Sequence, residues 1–173
     1  MKRIIPLEYI NPNMHLSWQE VAWGYYNGYF FLRDVVQMAC DFLMCGGDNK
    51  IIIELAGIPF EMSKSDIYDA EMLLDKLVLN SPKEDGKFIK DKWLYLNLAW
   101  LFEHRAAFEN IFDEAYDIYC DFDYPSEISS FFVSYMPGVG FATTHSLDDM
   151  THMKAMNIWR DYLERKNKVF SLI

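Results

Sequence analysis

Apolar residues recur along this chain at helical spacing, and Gly or Pro repeatedly cuts the pattern where a helix would end. FFLRDVVQMACDFLMCGG sets Leu32, Val35, Val36, Ala39, Phe42 and Leu43 on one face, at i, i+3, i+4, i+7 intervals, and Gly46-Gly47 closes it. LSWQEVAWGYYNG begins with Ser17 and Glu20, the pair that forms a capping box, and Asn27-Gly28 supplies the stop. SKSDIYDAEMLLDKLVLNSP turns Ile67, Ala70, Leu73, Leu74 and Leu77 inward ahead of Pro82. KWLYLNLAWLF is apolar nearly all round, which marks a central helix covered on most sides, with Trp93, Leu94, Leu96, Trp100 and Leu101 buried. AFENIFDEAYDIYC and SEISSFFVSYM are two further helices, the second stopped by Pro137 and Gly138. A last helix runs from a Ser146 cap to about Lys168, with Asp148 and Asp149 where the macrodipole favours negative charge. Residues 49–60, NKIIIELAGIPF, suit a short strand or a short helix and read better as helix. The expected fold is all-α: about seven helices packed as antiparallel helical hairpins.

At 173 residues the chain reads as one domain, 1–173, able to bury about two-thirds of its unfolded surface. Hydrophobic residues make up 51% and aromatics 17%, which excludes disorder. Pro6 and Glu8 break the apolar start, so no signal peptide is expected. The uncharged run 128–147 contains Pro137 and two glycines and reads as helix plus loop, not as a membrane span. Three cysteines without CxxC spacing fit a reducing, cytoplasmic compartment, with Cys40 and Cys45 as buried thiols.

Charge is distributed unevenly. Between Ala106 and Met153 there is no Lys or Arg, while nine of the 26 acidic residues fall there, leaving 17 acids against 16 bases elsewhere. Glu109, Asp113, Asp117 and Asp121 succeed each other at i, i+4, i+8 and i+12, one row on a helix. Like charges at that spacing destabilise a helix by roughly 0.2–0.5 kcal/mol per pair. A face needed only for solubility gains more by interleaving Lys and Arg. The row therefore reads as an electronegative docking surface for a basic protein partner, beside the blander reading of a solvated face. Asp123 and Tyr124 extend the surface at its end. Asp123 or Ser126 also suits the N-cap of the next helix, with Pro125 near its first turn. Phe122, Tyr124, Phe131, Phe132 and Tyr135 supply apolar area beside it, which reads as core ahead of interface.

Signals for catalysis are weak. An EF-hand loop beginning at Asp121 would need glycine at Ser126 and glutamate at Phe132. His145 and His152 stand two turns apart, about 10 Å, too far to share one metal directly. There is no HExxH, P-loop or nucleophile elbow, and Gly138-Val139-Gly140 follows no strand. Glu103 and His104 end an apolar helix, where a histidine is ordinary dipole chemistry. The expectation is a non-enzymatic protein with neither metal nor cofactor. Nucleic acid is excluded as a partner by the acidity and the lack of a basic stripe.

Three stretches carry a family resemblance: IPLEYI…LSWQEVAWGYYNGYF, KDKWLYLNLAWLFEHR and, above all, DFDYPSEISSFFVSYMP. Through them the chain resembles a family of uncharacterised bacterial proteins of about 170 residues, some of which look like immunity proteins of polymorphic toxins. The likeness spans most of the chain and is loose over residues 46–85 and the last helix. It implies a cytoplasmic antitoxin that binds and neutralises a cognate secreted toxin, nuclease-like where its cleft is basic. Glu109, Asp113, Asp117, Asp121, Asp123 and Tyr124 are the expected partner-binding residues. The alternatives are a helical adaptor module and, behind it, a hydrolase with an unrecognised site.

Overall fold

Ser17 opens a helix through a reciprocal cap: its backbone N–H donates to Glu20 Oε2 at 2.8 Å and its Oγ accepts from Glu20 N at 3.2 Å. The reciprocal bonds satisfy two donors that a helix start leaves exposed, as the Ser-x-x-Glu spacing predicts. The structure, a computed structural model, describes residues 4–132 and 149–170. Among them every regular element is helical, eight α-helices and two 3-10 helices, so the chain is all-α. It divides into two compact units, Met1–Ile89 and Lys90–Ile173.

The first unit holds α1 (Leu7–Asn13), α2 (Trp18–Tyr26), α3 (Leu32–Met44), α4 (Lys50–Ala56) and α5 (Lys64–Asn80). Helix α4 packs on both α3 and α5, and α2 packs on α5. Val35, Val36, Ala39, Ile52, Leu55, Ala70, Leu74 and Leu77 are buried here. Asn49 caps α4 by accepting from Ile51 N at 2.9 Å, which makes the ambiguous segment a helix. Gly28 and Gly46, at φ +79 and +91, end α2 and α3 in the left-handed conformation that a Cβ disfavours.

Two expected core positions turn outward. Phe42 is 39% and Ile67 40% exposed. The Phe42 ring lies over Gly47, where an added Cβ would come within 1.9 Å of it. Cys45 is likewise exposed instead of buried, at the C-terminal end of α3. Helix α1 has no expected counterpart, because Pro6 and Pro12 break its sequence pattern. Pro6 is its N-cap and needs no N–H there.

The unit boundary falls inside α6 (Gly86–Glu103), whose start Asp85 caps by accepting from Lys87 N at 3.0 Å. Trp93, Leu94, Leu96, Leu98 and Leu101 are all buried, the coverage an all-round apolar helix requires. Trp100 departs from the expected set. It is only partly buried, stacking on His104 at 4.4 Å and meeting Phe108 edge-on at 6.2 Å.

Beyond α6 the second unit contains a 3-10 turn (Arg105–Ala107), α7 (Ile111–Asp121), a 3-10 helix (Ser126–Phe131) and α8 (Asp149–Phe170). Helix α8 packs on the 3-10 helix. Trp159 sits at the centre, with Phe131 at 5.9 Å, Phe102 at 5.4 Å and Phe112 at 6.3 Å. Lys166 clips the elements together, 2.7 Å from Glu127 and 3.9 Å from Asp91. The expected helix SEISSFFVSYM is a 3-10 helix as far as Phe131; its remainder from Val133, with Tyr135 and the Ser146 cap, lies outside the described residues.

Candidate partner-binding surface

Helix α7 exists because its apolar residues fall on one side. Ile111, Phe112, Ala115 and Ile118 are buried, and Asn110 caps the start by accepting from Phe112 N at 3.1 Å. The same periodicity puts Asp113, Asp117 and Asp121 on the opposite, exposed side. At 1.5 Å rise per residue their Cα atoms span about 12 Å. No ion pair with any of the three occurs among the described residues.

The arrangement is costly to the helix at one end. Asp113 and Glu114 lie in the first turn, where the macrodipole stabilises a carboxylate. Asp121 is the last helical residue, facing both the negative end of the dipole and Asp117 one turn back, and no basic residue occupies that turn.

Glu109 does not belong to the row. It sits at a bend before the Asn110 cap, outside the helix, so the i, i+4 relation to Asp113 has no helical meaning, although the side chain is exposed. The row on α7 is three carboxylates.

Asp123 is not the cap of the following helix; it ends the preceding one. Asp123 N donates to Cys120 O at 3.1 Å and Tyr124 N to Tyr119 O at 2.9 Å, the paired bonds of a Schellman motif. Asp123 holds the left-handed position usual for glycine, at φ 60, and Tyr124 follows at φ 56. The ring contact that accompanies such an ending is present, Tyr119 against Tyr124 at 5.2 Å. Ser126 is no side-chain cap either: Pro125 holds the N-cap position of the 3-10 helix, which has no side-chain capping bond.

This ending turns Tyr124 out of the core it was expected to join with its aromatic neighbours, 59% exposed, just beyond the acidic row. The neighbouring Cys120 thiol, above other causes, raises its phenol pKa. Phe122, Phe131 and Phe132 are buried, as expected of core. The carboxylate of Asp123 is paired with Lys90 Nζ at 2.5 Å. Thirty-three residues separate that pair, so no local sequence pattern announces Lys90.

Among the described residues no group of three His, Cys, Asp or Glu is placed to hold a metal ion. His152 meets the Phe112 ring edge-on at 5.3 Å, and His145 and Asp148 lie outside the described residues. No described helix is long and apolar enough to cross a membrane.

The family described as an uncharacterised protein conserved in bacteria (DUF2247) matches residues 7–167. No curated protein and no solved structure matches the chain.

Proposed function

We propose, for a chain that belongs to the bacterial DUF2247 family, that it is a cytoplasmic immunity protein that neutralises a basic toxin domain by binding it. The observation that carries the reading is the exposed row Asp113, Asp117 and Asp121 on α7, kept without basic neighbours despite the energy such neighbours offer. A toxin that cleaves nucleic acid needs a basic cleft. Carboxylates at about 6 Å intervals imitate the spacing of phosphates well enough to steer toward that cleft and compete for it. Tyr124 supplies an aromatic anchor beside the charges, the kind of residue that concentrates binding energy at an interface.

The test is a pull-down with the tagged full chain as bait for the C-terminal domain encoded by the neighbouring gene. One-to-one capture together with loss of the toxin's activity supports the reading. Failure to bind that domain, in an operon of housekeeping genes, returns the protein to the adaptor class.

A further inference from the structure

Helix α5 carries two apolar faces, and only one is covered. Ala70, Leu73, Leu74 and Leu77 are buried. Tyr68, Met72 and Leu79 point the other way, at 67%, 38% and 83% exposure, and Tyr26 of α2 stands beside them at 55%. A helix that only roofs a core keeps that outer side polar. Contiguous exposed apolar side chains mark a place where something binds.

The four side chains line a cleft of about 360 Å³ within the first unit, together with Glu71, Asp75 and Lys76. Its carboxylates are held in place by phenols. Tyr25 donates to Glu71 Oε1 at 2.6 Å and Tyr26 to Asp75 Oδ1 at 2.8 Å. Burial first, then the bond to Asp75, holds the Tyr26 phenol well above its ordinary pKa, so it stays a donor. Each carboxylate uses one oxygen in these bonds and keeps acceptor capacity on both. Two fixed negative charges against one ammonium leave the cleft electronegative, with aromatic and aliphatic walls.

We infer that this cleft takes an arginine side chain from an apolar segment of a protein partner, with the guanidinium at Glu71 and Asp75 and the methylenes along Tyr26, Tyr68, Met72 and Leu79. Charge complementarity selects a cation. Arginine fits better than lysine because its planar, weakly hydrated head forks onto carboxylates and stacks on rings. An amphipathic stem suits walls that are part apolar. The site lies in a different unit from α7 and stands independently of the toxin reading.

The experiment titrates the ¹⁵N-labelled full chain with three blocked tripeptides, Leu-Arg-Leu, Leu-Lys-Leu and Leu-norleucine-Leu, following backbone amides by NMR. The arginine peptide should shift the amides of Tyr68, Met72 and Leu79 saturably and bind about tenfold tighter than the norleucine peptide, as charge-assisted hydrogen bonds imply. The lysine peptide should fall between. Glu71→Gln with Asp75→Asn should erase the preference for arginine while leaving the spectrum otherwise dispersed. Tyr68→Ala, a change on an exposed side chain, gives a second arm that does not disturb the phenol–carboxylate pairs and should also weaken the arginine peptide. Equal binding of arginine and norleucine peptides, shifts confined to residues outside α2 and α5, or no saturable shift would each overturn the assignment.

Discussion

Lys90 Nζ lies 2.5 Å from Asp123 Oδ2, so one carboxylate of the acidic surface already has its cation within the chain. The pair is exposed, 35% on the lysine and 85% on the aspartate, and straps α6 to the left-handed ending of α7. Asp113, Asp117 and Asp121 have no such strap among the described residues, and the four acids are therefore not equivalent to a partner.

Lys90→Met should cost about 0.2–1 kcal/mol, the range for exposed pairs, and the loss should shrink in high salt. Asp123→Gly in the Lys90→Met background should then raise the urea midpoint, because glycine occupies φ 60 without the penalty a Cβ brings. A lower midpoint in the double variant would show that the Asp123 carboxylate stabilises the turn by another route.

Trp93, fully buried on α6, should dominate stability over Trp100 on the same helix. Trp93→Ala is expected to cost about 3–5 kcal/mol through the cavity it leaves. Trp100→Ala removes a partly exposed ring stacked on His104 and should cost about 1–3 kcal/mol. Equal denaturant midpoints for the two variants would contradict the packing described for α6.

Tyr25 carries a pH signature. Burial, followed by the hydrogen bond and charge of Glu71, pushes its phenol up to about 12. A phenol whose folded pKa exceeds its unfolded value of about 10 adds stability that is fully present below pH 10 and lost as pH rises toward 12. Tyr25→Phe should flatten that part of the stability curve. Glu71→Gln should lower the phenol pKa only in part, since burial is the leading cause, and an ultraviolet titration of both variants checks the order.

The all-α architecture is legible because the signals that start and stop these helices are local. Ser17, Asn49 and Ser63 cap through bonds within three residues, and Gly28 and Gly46 end helices through their own backbone freedom. The row Asp113, Asp117 and Asp121 is legible for the same reason: the period that buries Ile111, Ala115 and Ile118 exposes the acids. The ending of α7 is hidden because Asp123 and Tyr124 take left-handed positions without the glycine that normally signals them. Asp before Tyr-Pro suggests an N-cap on sequence alone. The cleft on α5 was also visible in principle, since Tyr68, Met72, Asp75 and Leu79 fall at i, i+4, i+7 and i+11. That stripe is masked by the stronger one of Ala70, Leu73, Leu74 and Leu77 beside it. Tyr25 and Tyr26 reach Glu71 and Asp75 across 46 and 49 residues, and no local pattern encodes such a pairing.

The docking role proposed for α7 is tested most directly by the association rate of a toxin domain encoded by the neighbouring gene with charge-reversed variants, measured from low to high salt. Asp113→Lys with Asp117→Lys, and Asp117→Lys with Asp121→Lys, leave the buried face of α7 untouched. Glu54→Lys with Asp69→Lys changes net charge equally at exposed positions outside the surface. Asp66 and Glu71 are unsuitable controls, because one belongs to the α5 cap and the other accepts from Tyr25. The α7 variants should associate at least about tenfold more slowly at low salt than the control pair, with the gap narrowing as screening sets in. Equal slowing by all three pairs would mean that only net charge matters, and would contradict a docking surface on α7.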